Sequence, residues 1–523
     1  MTLVQKLFQV TRWGVAIVFI GMLTGAMAVI FPPLASVGVV ALLAVVLLWS
    51  LPELRLVPEK LLHTMFFMMV FVLLCVPAYF AIDTGVLPWI SVRRIFSLIV
   101  IILFSLTVAG SKAARGKIME AVQANRLLAF MAIGFLIMIF VSIFTSANWP
   151  FSMKEFFDIL LNWYVPLFVC ILIVRSEEDV ILLLKIIAFA VIFDSFAGLI
   201  EFLLQRRYYF DIFPKSLLES MMSTNPALAG IYYANSFRNG LYRASSIYTV
   251  PLSFGELAAM AAPIGAYFVL HARKWTEFVL GVLTVMACML ALFCSGARGG
   301  YLAFLVAMPV MAVIWTVRYS RLNPRSLVGA IMLAIFSFGF VSLVGLIFAW
   351  QRLYNIVFGG GDTAASTDAR LIQWNLAKPH ILSNPITGHG IGMAPDVVGY
   401  ILPGAASPTL DTYVLSLLVD LGVPGLVFFF GMIACGIWIG LRQYLFIGDK
   451  WAALGGPIAC SLIAFSVYRM ALSQRENHTL FFLIIGLVFA LGRLGYERLA
   501  EKKRNPLYVE NARPRHATLP SRY

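Results

Sequence analysis

Three short segments of this 523-residue chain set an arginine among small or turn-forming residues, a pattern suited to holding an anion. They are 242–251 around Arg243, 295–300 around Arg298, and 368–374 around Arg370. A guanidinium presents two parallel donors to a phosphate. Arg298 lies between Gly296 and Gly299, where backbone can approach a ligand closely, and the helix that follows it favours negative charge at its N-terminus. These features suggest a diphosphate site. The plainer reading is that each arginine snorkels or meets lipid phosphate at a membrane boundary.

A second group of residues can move protons or stack on sugars. Asp411 either caps the helix that follows it or, near phosphate-binding arginines, acts as a general base. His380 follows Lys378 and Pro379 and reads as a surface residue or an alternative base. His389 sits in Gly388-His389-Gly390-Ile391-Gly392, which is no dinucleotide fingerprint, because the strand before it, the helix after it and the spacing are missing. A structural turn is the plainer reading there. Tyr242, Trp374 and other Tyr and Trp residues belong to an interfacial belt or stack on sugar rings. Asp362 and Asp368 are too loosely spaced for a divalent cation, so neither metal nor cofactor is expected. The six cysteines lack CxxC spacing and read as small buried hydrophobes.

Most of these residues fall in one polar stretch, 350–411, with eight Gly, four Asp and two His, set into an apolar chain. Lipid cannot satisfy an irregular backbone, so such a stretch lies outside the hydrocarbon. It reads as one long, ordered loop. The chain is 61% hydrophobic and 12% charged, with mean hydropathy +0.90. Soluble domains carry about 25% charged residues. The net charge of +14 sits in short connections and in the tail, not on one face, which argues against nucleic acid.

The expected fold is therefore an all-α polytopic membrane protein with about 12–14 transmembrane helices of ~20 residues each. Fourteen apolar runs are candidates, beginning with 14–31, 34–50 and 62–81. The run 412–441 is too long for one span, and Gly422-Val423-Pro424-Gly425 should break it into a short helix and a spanning one. Short basic connections, Lys112 to Arg126 and Arg318 to Arg325, place both termini in the cytoplasm. The expected organisation is N-terminal helices over 1–203, an outer loop over 204–252, central helices over 253–349, the large loop 350–411, C-terminal helices over 412–492 and a basic cytoplasmic tail over 493–523.

The segments SGARGGYLAF (295–304), RLIQWNLAKPHILSNPITGHGIG (370–392) and DTYVLSLLVDLGVPGL (411–426), with YRASSIYTVP (242–251) upstream, resemble the bacterial O-antigen ligase and Wzy-type polymerase superfamily. The resemblance spans about 240–430. It implies an inner-membrane glycosyltransferase working on the periplasmic face, without metal or nucleotide. The donor would be a glycan on undecaprenyl diphosphate, attacked at its anomeric carbon by a hydroxyl of a glycan acceptor. Flippase and chain-length regulator proteins would be partners, besides the lipid bilayer. Carried over, Arg243 and Arg298 would bind the diphosphate and steady its developing charge. Arg370 would support the loop or the phosphate. The chain departs from the pattern at Asp411, where the superfamily usually has histidine. Either Asp411 is the base, or His380 or His389 supplies it, or activity is lost.

The first reading is a polymerase of O-antigen or exopolysaccharide. A ligase moving the glycan to a lipid A core or a protein is the same-class alternative. A transporter or lipid-linked glycan flippase is the alternative of another class. It predicts charged groups deep in several spans, where Lys185, Asp194 and Glu256 are the few candidates. A non-catalytic scaffold of envelope assembly is the third.

Overall fold

The computed structural model describes residues 57–77, 81–82, 90–212, 215–224, 230–232, 236–238, 241–350, 354, 364–401, 408–470 and 472–504. The first two candidate runs, 14–31 and 34–50, lie outside them, as does most of the tail. The helices are α1 (Glu59–Cys75), α2 (Val92–Gly110), α3 (Lys112–Ala124), α4 (Arg126–Ser142), α5 (Trp149–Ile159), α6 (Val165–Ile173), α7 (Glu177–Leu204), α8 (Lys215–Thr224), α9 (Pro251–His271), α10 (Trp275–Ser295), α11 (Arg298–Leu322), α12 (Val328–Ala349), α13 (Ala364–Ser383), α14 (Ala394–Val398), α15 (Tyr413–Phe446), α16 (Gly455–Arg469) and α17 (His478–Arg504). Two two-residue hairpins accompany them, Ala81–Ile82 with Ile90–Ser91 and Phe237–Arg238 with Leu241–Tyr242. Among the described residues, eleven helical segments are long and apolar enough to cross a membrane. The fold is an all-α polytopic membrane protein. The seventeen-residue α1 overlaps the third candidate run, 62–81.

Two units divide the chain: Met1–Leu62 with Ile102–Lys117, and His63–Ile101 with Ile118–Tyr523. In the first, Arg115 sits buried and donates to the carbonyls of Val108 and Ala109 at 2.9 Å each, tying α3 to the end of α2. The second holds every candidate site residue. Its centre is α9, almost wholly buried and packed on α10, α11 and α16. Small residues let these helices close on one another, as lipid-embedded packing requires. A Cβ at Gly281 would fall 2.6 Å from the Val269 nitrogen, and one at Gly440 would fall 2.7 Å from the Gly455 oxygen.

Local sequence sets the helix ends and breaks. Ser176 and Asp179 form a capping box at the start of α7. Asn148 caps α5 through the Phe151 N–H. Between α5 and α6 the chain widens into a π turn, Leu160–Tyr164, just before Pro166, whose ring removes an N–H from the ladder. In α15, Gly422 takes φ 70°, ψ −172°, so 413–421 is a short helix and the spanning helix follows, as the Gly and Pro pattern requires.

The connections gather at two ends. At one end, Ala244 N–H donates to Cys294 O at 2.9 Å, Ser152 Oγ to Ile391 O at 3.0 Å, and Thr249 N–H to Glu476 Oε1 at 3.0 Å. At the other, buried Arg318 donates to the carbonyls of Ile447 and Asp449 at 2.8 and 2.9 Å. The stretch 350–411 is not one irregular loop. Its residues Ala364–Ser383 form α13, with buried Ala369, Gln373 and Ala377 four residues apart on one face.

Candidate active site

The turn between α10 and α11 holds the first part of the site. Gly296 closes α10 in the left-handed conformation (φ 55°), its N–H donating to Leu292 O at 3.0 Å. One extended residue, Ala297, leads into α11, which starts at Arg298 and has no side-chain cap. Arg243 reaches this turn from the other segment, donating from Nε to Ser295 O at 2.8 Å. Its side chain lies over Gly296, where an added Cβ would come 3.5 Å from Nε. Arg243 and Arg298 thus flank one three-residue turn. Beneath it, Tyr468 lies against Gly299 and donates to Leu252 O at 2.6 Å.

Glu201, at the end of α7, shapes the segment that carries Arg243. Its carboxyl accepts from Tyr242 Oη at 2.9 Å, from Ser245 N–H at 3.2 Å and from Ser246 N–H at 2.7 Å. Arg207 adds donors to Ser245 Oγ at 3.0 Å and Thr249 O at 2.9 Å. Tyr242 is buried, with Phe237 at its edge. Burial and the adjacent Glu201 push its phenol well up, so it stays a donor. Its place in the structure is that of a strut under Arg243.

The remaining sequence-predicted residues lie on or beside α13. Arg370 and Trp374 are one turn apart; Arg370 is half-buried and Trp374 exposed. Between them, buried Gln373 accepts the Asp411 N–H on its Oε1 at 3.0 Å. Thr412, not Asp411, is the cap residue of α15, and no side-chain cap bond forms there. The half-buried Asp411 carboxyl is therefore not a helix cap. Ser473 Oγ donates to the adjacent Leu410 carbonyl. His380 and His389 pack edge to face, with ring centroids 5.8 Å apart. Burial lowers His389 below its ordinary value, with His380 adding to the effect, so its ring is neutral near pH 7.

The glycines around His389 serve the backbone. Gly388, Gly390 and Gly392 all have positive φ, at 67°, 105° and 86°. His389 N–H donates to Val419 O at 2.8 Å and Gly390 N–H to Asp420 O at 3.1 Å. The Asp420 carboxylate accepts from Gly392 N–H at 2.9 Å and Ala394 N–H at 2.6 Å. Val423 N–H returns a bond to Pro385 O at 2.8 Å, where a Cβ at Gly422 would not fit. The loop and the break in α15 hold each other.

Sequence reasoning missed the connection 470–477 and its partners. Arg475 bridges Glu155 of α5 at 2.8 Å and Asp420 of α15 at 3.5 Å. Arg469 forms a fully buried pair with Glu256, donating from Nε at 2.8 Å, and Asn477 completes it with donors to Glu256 Oε2 at 2.9 Å and Ser253 O at 2.8 Å. Tyr468, at the end of α16, meets the arginine turn; Ser473 meets the Leu410 carbonyl beside Asp411; and Arg475 meets the glycine loop through Asp420. The signal was visible as Gln474-Arg475-Glu476-Asn477-His478, five polar residues between two apolar spans. The deep carboxylate of Glu256 thus has a partner from the site-bearing end.

Residues 282–430 match the family model described as O-antigen ligase. The match takes in the turn at 295–298, Arg370 and Asp411; Arg243 and the connection 470–477 lie outside it. No curated protein matches the chain. The stretch that carries the arginine turn and the Asp411 segment is thus similar to the O-antigen ligase family, within the O-antigen ligase and Wzy-type polymerase superfamily.

Proposed function

We propose that this chain is a membrane glycosyltransferase that polymerises lipid-diphosphate-linked oligosaccharide units into O-antigen or exopolysaccharide. The family match supports a membrane enzyme of O-antigen or polysaccharide assembly. The observation that carries the finer reading is that the Arg243 side chain reaches the glycine-bounded turn from which Arg298 opens α11. Two guanidinium groups and an uncapped helix N-terminus suit a diphosphate better than a single lipid phosphate.

In this mechanism the donor's diphosphate rests on Arg243 and Arg298, with Arg370 and Trp374 along its path. An acceptor sugar hydroxyl loses its proton to Asp411 and attacks the anomeric carbon. The bond from that carbon to the diphosphate breaks, and the lipid diphosphate leaves with the electron pair, stabilised by the two arginines. The segments 204–252 and 350–411 face the periplasm, and both termini face the cytoplasm. Ligation to another acceptor uses the same chemistry, and the description of the matched family favours it as the second reading.

The test is complementation of a deletion strain with wild type, Arg298→Ala or Asp411→Ala, followed by size analysis of lipid-linked glycan and envelope polysaccharide. Single repeat units on lipid in both variants, at normal protein level, support polymerisation. Long lipid-linked chains that fail to reach their acceptor support ligation. Normal polymer in both variants refutes the site.

A further inference from the structure

At the end of the bundle opposite the candidate active site, a lateral cleft of about 620 Å³ opens between the start of α4, the end of α15 and α17. The volume lies within the ~300–1,000 Å³ usual for small-molecule sites. Its floor is apolar, from Leu128, Cys435 and Ile439, and Trp438 and Tyr496 stand exposed at its rim. Glycines on α17 shape it: a Cβ at Gly495 would fall 2.7 Å from the Trp451 ring.

Its polar lining is one-sided. Arg126, the first residue of α4, and Arg442, one turn before the end of α15, are both exposed and both line the cleft. Among the described lining residues none is acidic. Gln443, next to Arg442 in sequence, also lines the cleft and is only 7% exposed. The candidate spans Arg126–Thr145 and Tyr413–Phe446 each have one end at the cleft, so a bilayer around them would meet the arginines at headgroup depth and the apolar floor at acyl depth.

We infer that this cleft is a binding site for an anionic phospholipid. The phosphate sits on Arg126 and Arg442, and one acyl chain lies along Leu128, Cys435 and Ile439. Two cations without a lining carboxylate select an anionic lipid. The inference rests on the membrane fold alone and is independent of the reaction at the other end.

The test is native mass spectrometry of the delipidated full-length protein titrated with phosphatidylglycerol or phosphatidylcholine. Wild type should prefer phosphatidylglycerol. Arg126→Gln/Arg442→Gln should weaken phosphatidylglycerol binding by roughly thirty-fold and leave phosphatidylcholine unchanged. Arg325→Gln, at an exposed arginine outside the cleft, should change nothing. Equal binding of the two lipids by wild type, undiminished preference in the double variant, or an equal loss in Arg325→Gln would overturn the inference.

Discussion

Asp420→Ala should open the glycine loop without unfolding the helices around it. The carboxylate is buried and accepts from Gly392 and Ala394 at 2.9 and 2.6 Å, with Arg475 at 3.5 Å. Alanine leaves two inward-facing backbone N–H groups unanswered and removes one of the two carboxylates around Arg475. Each hydrogen bond to a charged group contributes about 1.5–3 kcal/mol, so the two backbone bonds together contribute about 3–6 kcal/mol. Relief from burying the charge offsets part of this, leaving about 3–4 kcal/mol. Asp420→Asn keeps one acceptor and should lose about half. The assay is hydrogen–deuterium exchange of the protein in nanodiscs. Peptides over 385–398 should exchange at least a hundred-fold faster in Asp420→Ala, while peptides from α9 stay protected. Unchanged protection over 385–398 would refute the assignment of Asp420 as the anchor of this loop.

Gly422→Ala should lower the thermal midpoint and loosen the same loop, because the residue has φ 70° and its Cβ would fall 2.5 Å from Pro385 O; a midpoint equal to wild type would contradict this. Arg469→Met should destabilise by about 3–5 kcal/mol by stranding the buried Glu256, whereas Arg469→Met/Glu256→Met should recover most of the loss; a thermal-shift series with no recovery in the double variant would count against the pair. His389 sits below its ordinary 6.5, so its neutral form is favoured by folding. That contribution is complete above pH 6.5 and is lost as pH falls through the lowered value. His389→Gln should therefore flatten the decline in stability on the acid side, and an unaltered pH profile of the melting point would refute it.

The fold was legible because hydropathy dominates it. Spans such as 127–145, 180–203 and 478–492 lie within or close to Arg126–Thr145, Glu177–Leu204 and His478–Arg498. The break at Gly422 was legible too, since glycine and proline act through local backbone geometry. Helix α13 was not. Its buried face is built from Ala369, Gln373 and Ala377, too small and too polar to give an apolar stripe, and the glycines at 359–361 and Pro385 advertise loop on either side. Arg298 and Arg243 could be singled out from turn residues nearby, but the reach of Arg243 to the turn before Arg298 depends on Glu201 folding 242–249 back onto the end of α10. Asp420, Arg469, Arg475 and Asn477 escaped notice because each looks ordinary in sequence. Their meaning comes from partners in other elements, such as Glu155 and Glu256.

The reaction at the arginine turn is tested most directly with purified protein in liposomes supplied with a defined lipid-diphosphate-linked repeat unit. Chain growth and released lipid diphosphate are followed together. Wild type should release one lipid diphosphate for each unit added. Arg243→Ala and Arg298→Ala should each slow both signals by roughly 10²–10³-fold, with substrate still bound. Equal rates in wild type and both variants, or chain growth without release of lipid diphosphate, would contradict the account.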